Sequence, residues 1–128
     1  MGFFKKGTTL LILMLAAANA YGQYTIQHQA PVALQKGSTN TLEFSLPGIT
    51  EADLQQANLF YRFDGDFSYQ QQEVRFQNGG LTASLDIRNQ NVSTVEYYLE
   101  VQLISGETLF FPNNLPSENP VEVEVVEQ

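Results

Sequence analysis

The sequence predicts an all-β domain that folds as a two-sheet antiparallel sandwich of seven to eight strands. Beyond residue 22, hydrophobic residues recur with a period of two rather than 3.6, and turn-forming residues recur every 8 to 15 positions. The candidate strands carry apolar side chains on one side, which favours a sandwich over a closed barrel. Residues 50–57 alone have a helical signature, and this stretch is short.

The amino-terminal part of the domain is expected to supply two strands. The first covers residues 23–29 and resumes around residues 32–34. After a turn at residues 36–38, residues 40–46 alternate regularly between polar and apolar side chains. The side chains expected to face the core in this second strand are Leu42, Phe44 and Leu46.

A short helical turn is expected within residues 50–57. Thr50 can act as its N-cap, with Asp53 three residues further on. Ile49 and Leu54 stand at the spacing of a hydrophobic staple. We interpret this stretch as one turn that crosses between the two sheets.

The central strands follow this turn. Residues 58–64 form a strand that ends in an acidic turn, and residues 67–77 form a less regular one, typical of a sheet edge. Residues 78–80, with the sequence Asn-Gly-Gly, predict a tight hairpin into residues 81–88. The inward side chains expected in this last strand are Leu81, Ala83, Leu85 and Ile87.

The carboxyl-terminal strands carry the strongest alternation. Residues 94–104 place apolar side chains on one face, and a turn at residues 105–106 leads into a strand at residues 107–111. A loop rich in proline and asparagine covers residues 112–120, and residues 121–125 make a last alternating strand. The inward side chains expected in the longest strand are Val95, Tyr97, Leu99, Val101 and Leu103.

Residues 1–22 have the features of a cleaved secretory signal peptide, which leaves residues 23–128 as the domain. Lys5 and Lys6 form a positive region, and residues 10–18 are continuously apolar. Cleavage fits before Tyr21 or before Gln23. The second site resembles that of secreted proteins of Bacteroidetes-type bacteria, whose mature chains often begin with Gln.

The signal peptide predicts export to the periplasm, the cell surface or the extracellular space. The alternative is an uncleaved membrane anchor, but crossing a bilayer takes roughly 20 apolar residues, about twice the length of this stretch. We therefore expect no stable membrane insertion after cleavage. The sequence also contains no cysteine, so it lacks the residue that lipoproteins acylate and cannot form disulfides.

The charge of residues 23–128 disfavours several classes of partner. Two of the six basic residues lie in the signal peptide and all 14 acidic residues lie beyond it, which gives a net charge of 4 − 14 = −10. Nucleic acids and anionic membranes are bound through clustered lysine and arginine, which this domain does not have. The acidic surface is expected to keep the domain soluble.

The sequence offers little material for catalysis, and we expect no enzyme activity and no cofactor. His28 is the single histidine, and we interpret it as a surface or strand-edge residue. Metal sites built from histidine and cysteine are ruled out by count. A calcium site at Asp64 and Asp66, with Glu73 as a third ligand, is the alternative to a plain turn.

Three residues suggest an interaction face. Phe60, Arg62 and Tyr98 fall on the sides of their strands opposite the main hydrophobic rows, so they are expected to point towards solvent or another chain. Exposed aromatic rings beside an arginine are typical of binding surfaces. The alternative is that they pack under a loop or against the side chains around Phe110 and Phe111.

The carboxyl-terminal half resembles immunoglobulin-like or fibronectin type III-like modules of secreted bacterial proteins. The resemblance lies in the run of residues 95–101 with its two tyrosines, a glycine turn, a short strand ending at Pro112, a proline-containing loop and a final valine strand. It implies that Tyr97 occupies the tyrosine-corner position and Leu99 the place where antibody domains have a cysteine.

The chain departs from that pattern in two respects. It has no cysteine pair, and it has no tryptophan on the third strand, where Tyr61 would have to fill the core. The resemblance covers about residues 32–125 and implies a fold more than a function.

These observations predict an exported, non-catalytic interaction or spacer module of the bacterial cell envelope, which binds protein partners or supports a larger secreted assembly. The alternative is a small carbohydrate-binding module that uses its tyrosines as a platform. The absence of tryptophan counts against that alternative.

Overall fold

The computed structural model describes residues 24–88 and 91–127 and shows a β-sandwich of two sheets. The predicted signal peptide lies outside the described residues, as do Asn89 and Gln90 of a predicted loop. Within the described ranges, no helix is long and apolar enough to span a membrane.

Nine strands occur in the described part of the chain. In chain order they are β1 (Ala33–Gln35), β2 (Thr39–Ser45), β3 (Leu54–Phe63), β4 (Gln70–Glu73), β5 (Arg75–Gln77), β6 (Gly80–Asp86), β7 (Thr94–Leu103), β8 (Thr108–Phe111) and β9 (Val121–Val126). One sheet has the order β1-β9-β7-β3-β4, with β8 paired to β7 beyond the end of β9. The other sheet has the order β2-β6-β5.

The prediction of purely antiparallel sheets is wrong at one edge. β1 pairs with β9 in parallel, so the larger sheet is mixed. The strand predicted at residues 23–29 is reduced to one bridge, between Gln27 and Ser45 of β2. The chain thus leaves the edge of the small sheet and joins the edge of the large sheet within a few residues. Pro31 lies at this crossing, where its missing N–H costs no ladder hydrogen bond.

The strand predicted at residues 67–77 is two strands in different sheets. β4 pairs with β3 in the large sheet, whereas β5 pairs with β6 in the small sheet. Val74, between them, is buried, and its N–H donates to the carbonyl of Ala57 at 2.9 Å. Both strands are edges, as predicted. The division also explains why nine strands occur instead of seven to eight.

The helical turn is shorter than predicted. It is a single 3-10 turn at Glu51–Asp53, and β3 begins at Leu54. Thr50 caps the turn, and its backbone N–H donates to the carboxylate of Asp53 at 2.9 Å. The turn connects β2 of one sheet with β3 of the other, as predicted.

The core lies between the sheets and is built from alternate residues of the long strands, which confirms the predicted inward rows. The hairpin between β5 and β6 is also confirmed, with positive φ at both Asn78 and Gly79. The inward residues predicted for β2, β6 and β7 are all buried, and they include Leu42, Phe44, Leu81, Ala83, Leu85, Val95, Tyr97, Leu99, Val101 and Leu103.

We expect Gly80→Ala to destabilise the fold through the pairing of β2 with β6. A Cβ atom at Gly80 would lie 2.4 Å from the carbonyl oxygen of Phe44. Gly80 belongs to β6 and Phe44 to β2, and these two strands are paired. The strands must separate, and overpacking of this kind costs about 1–3 kcal/mol. The loss is measured by urea unfolding, in which the midpoint should fall while the m-value stays unchanged. Ser84→Ala, on the exposed side of β6, is the matched control and should change stability by less than about 0.5 kcal/mol. Equal stability of the two variants would contradict the prediction.

Candidate interaction surface

The outer face of the six-stranded sheet carries the three residues predicted from the sequence. Because side chains alternate along β3 and β7, Leu59 and Leu99 point into the core, while Phe60 and Tyr98 point outward. Phe60 lies directly opposite Tyr98 in the ladder, and Arg62 lies opposite Glu96. The pairing of two strands therefore brings Phe60, Arg62 and Tyr98 onto one surface.

The aromatic rings form a compact cluster. Phe60 and Tyr98 are stacked, with ring centroids 4.8 Å apart and planes 9° from parallel. Tyr69 contacts Tyr98 edge to face at 5.0 Å. The Tyr69 hydroxyl donates to the carbonyl of Ser117 at 2.9 Å, which ties the cluster to the loop between β8 and β9. Burial raises the pKa of both tyrosines, so they remain neutral hydrogen-bond donors at neutral pH.

Arg62 is held in place by three contacts. Its Nε–H donates to Glu96 Oε1 at 2.6 Å, and its guanidinium carbon lies 4.3 Å from the centre of the Tyr69 ring. One Nη1–H donates to the carbonyl of Phe67 at 3.2 Å. The hydrogen bond to Glu96 is the main reason that the pKa of Arg62 is raised. Arg62 thus orders the surface and is not a free cation on it.

We call this surface, formed by Phe60, Arg62, Tyr69, Glu96 and Tyr98, the aromatic face. Its residues are half-buried, because they pack against one another. The predicted alternative of packing under a loop is met in part, because Phe67 and Tyr69 of the loop between β3 and β4 contact Arg62, and Tyr69 also contacts Tyr98. Phe110 lies on the same side of the sheet, opposite Glu100. Next to the face, the Phe67 side chain is 97% exposed.

Sequence reasoning missed Tyr69 and Glu96. A hairpin centred on residues 65–66 pairs Tyr61 with Gln70 and so brings Tyr69 to the level of Arg62. The acidic turn sets this register, so Tyr69 could have been identified from the sequence. Glu96 has no such local signal, because its position opposite Arg62 depends on the pairing of β3 with β7.

The two outer faces of the sandwich differ in charge and in aromatic content. On the strands of the large sheet, the outward side carries Arg62 and five glutamates, a balance of 1 − 5 = −4. On the small sheet it carries Arg75, Glu43 and Asp86, a balance of 1 − 2 = −1. The five glutamates are Glu73, Glu96, Glu100, Glu122 and Glu124. The other outward residues of the small sheet are small or polar, namely Thr39, Thr41, Ser45, Gln77, Gly80, Thr82 and Ser84.

His28 lies beside the edge strand β2, as interpreted, but it is half-buried and contacts both sheets. Its Nδ1 is 2.6 Å from the carbonyl oxygen of Glu43, and its Nε2 is 2.6 Å from the hydroxyl of Tyr97. The imidazole stacks on Phe44 with centroids 4.1 Å apart and meets Phe111 edge to face. His28 therefore connects the amino-terminal segment to β2 of one sheet and β7 of the other.

The alternation of the first segment contained the signal for this position. Tyr24 and Ile26 were expected on one face, and His28 continues the same series. Burial lowers the pKa of His28, and only the hydrogen bond to the Glu43 carbonyl opposes this shift. The neutral ring satisfies both partners, since Nδ1–H donates to Glu43 and Nε2 accepts from Tyr97.

The acidic turn uses its carboxylates to order backbone. Asp64 accepts hydrogen bonds from the backbone N–H groups of Thr94 and Ser93, which lower its pKa. Asp66 accepts from the N–H of Phe63. Glu73 pairs with Asn58, far along β3 from this turn. In residues 24–88 and 91–127, no three His, Cys, Asp or Glu side chains are grouped to hold a metal ion.

No family model and no curated protein matches this sequence. Among solved structures, 32 chains match. One is the crystal structure of an engineered protein, 16% identical over 82% of this chain, with a TM-score of 0.51. This chain spans 20% of the length of that engineered chain. The likeness shows that the same fold occurs there and carries no information on activity.

We expect the stability of the protein to fall with the protonation of His28. Its pKa is lower in the folded state than the ordinary value of 6.5, so the unfolded chain binds the proton more readily. The stabilisation is complete above about pH 6.5 and is lost as the pH falls below that value. Urea unfolding between about pH 8 and pH 5 measures this dependence.

His28→Ala is the control for this pH dependence. At pH 8 it should be less stable than the wild type by about 1–3 kcal/mol, because the Tyr97 hydroxyl loses its partner. The difference between the two proteins should narrow towards pH 5. A constant difference across this range would refute the role of His28.

Proposed function

We propose that this chain is an exported, non-catalytic module that binds a protein partner through the aromatic face. One observation carries the proposal: stacked aromatic rings occupy the outside of one sheet, while the outside of the other has threonine, serine and glycine at the corresponding positions. The solubility of the domain does not depend on aromatic rings at its surface. Tyrosine and arginine are the residues that dominate the energetics of protein interfaces.

The order of the aromatic face supports binding. Tyr98 is fixed by Phe60 and Tyr69, and Arg62 is fixed by Glu96 and the Tyr69 ring. Side chains that are already ordered lose little conformational entropy when a partner binds. The exposed ring of Phe67 adds apolar area at the rim.

Export is supported by the signal-peptide pattern of residues 1–22. A non-catalytic role is supported by the use of the polar groups. His28 links the sheets, and Asp64 and Asp66 bind backbone N–H groups. These side chains are engaged in holding the fold.

An immunoglobulin-like type of sandwich is supported by the strand order. In immunoglobulin variable domains an additional strand extends the sheet that contains the last strands of the chain. β4 takes the same place beside β3, while β2, β6 and β5 form the opposing sheet. Tyr97 departs from the tyrosine-corner pattern, because its hydroxyl bonds to the His28 side chain and not to backbone.

The geometry favours a protein over a carbohydrate as the partner. The centroids of Phe60 and Tyr98 are 4.8 Å apart, the distance between neighbouring strands, and the rings are nearly parallel. The two rings therefore stand side by side on the sheet and turn their edges outward. A sugar ring stacks on an exposed flat face, whereas a protein surface can pack against edges and clefts.

The test is cross-linking of the exported chain in cell-envelope fractions, followed by affinity measurement with the captured protein. The double variant Phe60→Ser/Tyr98→Ser should bind at least about tenfold more weakly, the effect of losing an interface hot spot. Thr41→Ala/Ser84→Ala removes an opposed pair from the other outer face and is the matched control. It should bind like the wild type.

Two results would refute the proposal. One is the absence of any captured protein with the wild-type chain. The other is an equal affinity of the aromatic-face variant and the control variant. Urea unfolding of both variants must show that each is folded under the conditions of the measurement.

A further inference from the structure

We propose that the partner segment bound by the aromatic face is cationic, a stretch of polypeptide that presents lysine or arginine. This inference rests on the proposed function and names the chemistry of the partner.

Five carboxylates lie on the side that carries the aromatic rings. The charge balance of that side is −4 over six strands, against −1 over three strands on the opposite side. Glu96 lies directly opposite Glu122 in the ladder between β7 and β9, and like charges in this position destabilise a sheet. The ion pair of Arg62 with Glu96 already offsets part of this repulsion. A cationic partner at Glu122 would offset the remainder and be attracted over a distance of several ångströms.

The domain also contains one example of the recognition that we propose. The Arg62 guanidinium is held by a carboxylate at 2.6 Å and a tyrosine ring at 4.3 Å. Tyr98 and Glu100 present the same two groups, since they lie two residues apart on the same side of β7. After burial, the charge of Glu100 is the second cause of the raised pKa of Tyr98.

Arg62 is used within the domain, whereas the other carboxylates are open to a partner. In the part of the chain that the structure describes, no lysine or arginine forms an ion pair with Glu100, Glu122 or Glu124. Phe60, on β3, covers one face of the Tyr98 ring. On the other side of β7, Glu122 of β9 lies opposite Glu96, two residues along the strand from Tyr98, and Glu124 lies opposite Thr94. A guanidinium or ammonium group that binds beside Tyr98 would therefore meet the carboxylates of Glu100 and Glu122.

The test uses the exported chain, labelled with nitrogen-15, and three probes: a hexa-arginine peptide, a hexa-glutamate peptide and maltohexaose. Hexa-arginine should shift the backbone signals of β3, β7 and β9 around the aromatic face. Hexa-glutamate and maltohexaose should leave these signals unchanged. The variant Glu100→Gln/Glu122→Gln/Glu124→Gln should bind hexa-arginine about tenfold more weakly, because rim and interface charges are worth of order 1 kcal/mol or less each.

The matched control is Glu43→Gln/Glu51→Gln/Asp86→Asn, which removes the same net charge from positions away from the aromatic face. It should bind hexa-arginine within about twofold of the wild type, since exposed charges beyond a Debye length are screened. An equal loss in both triple variants means that binding follows net charge only, and it overturns the inference.

Two other outcomes separate this inference from the proposed function. If the envelope partner is lost with Phe60→Ser/Tyr98→Ser but retained at full affinity with the aromatic-face glutamine variant, the proposed function stands and the cationic partner is refuted. If maltohexaose and not hexa-arginine shifts the signals of Phe60 and Tyr98, both proposals fail and the face binds carbohydrate.

Discussion

The pairing of β3 with β7 is the interaction on which the rest of the structure depends. The two strands are the longest in the domain and pair from Leu54 to Phe63, with a register shift between Leu54 and Gln56. On the inner side this register packs Leu59 against Leu99. On the outer side it stacks Phe60 on Tyr98. Because side chains alternate, a slip of one residue would move both rows to the wrong side of the sheet. The same register therefore fixes the core and the candidate interaction surface.

The second constraint is the polar contact between the sheets. The Tyr97 side chain is completely buried, and its hydroxyl meets the imidazole of His28. Desolvation raises the pKa of Tyr97 and lowers that of His28, so both side chains are neutral at neutral pH and form one shared hydrogen bond. A neutral pair avoids the cost of a buried charge. It also fixes where the amino-terminal segment lies, although that segment has one ladder bridge, at Gln27.

Local patterns predicted the strands well and their partners poorly. Alternation placed β2, β6 and β7 correctly, and Asn78-Gly79 gave the hairpin, because these signals lie within a few residues of the structure they specify. The division of residues 67–77 between two sheets and the parallel pairing of β1 depend on neighbours that are distant in sequence. Phe60, Arg62 and Tyr98 were found from their polar-side positions alone. The ion pair of Arg62 with Glu96 could not be found in this way, since it requires the register of β3 with β7, whereas the approach of Tyr69 to Arg62 follows from the acidic turn.

The sheet does not need the contacts of the aromatic face for its stability. An exposed ion pair contributes little, and an exposed pair of rings adds about 1 kcal/mol. Glu122, opposite Glu96 across β7 and β9, reduces these gains, although Arg62 offsets the charge of Glu96. The outer side of the small sheet pairs its strands largely through threonine, serine and glycine and has no opposed carboxylates. Ordered rings thus occur on one outer side of the described sandwich and not on the other. A requirement of the fold would apply to both sides, so the proposed partner of the large sheet would account for this difference.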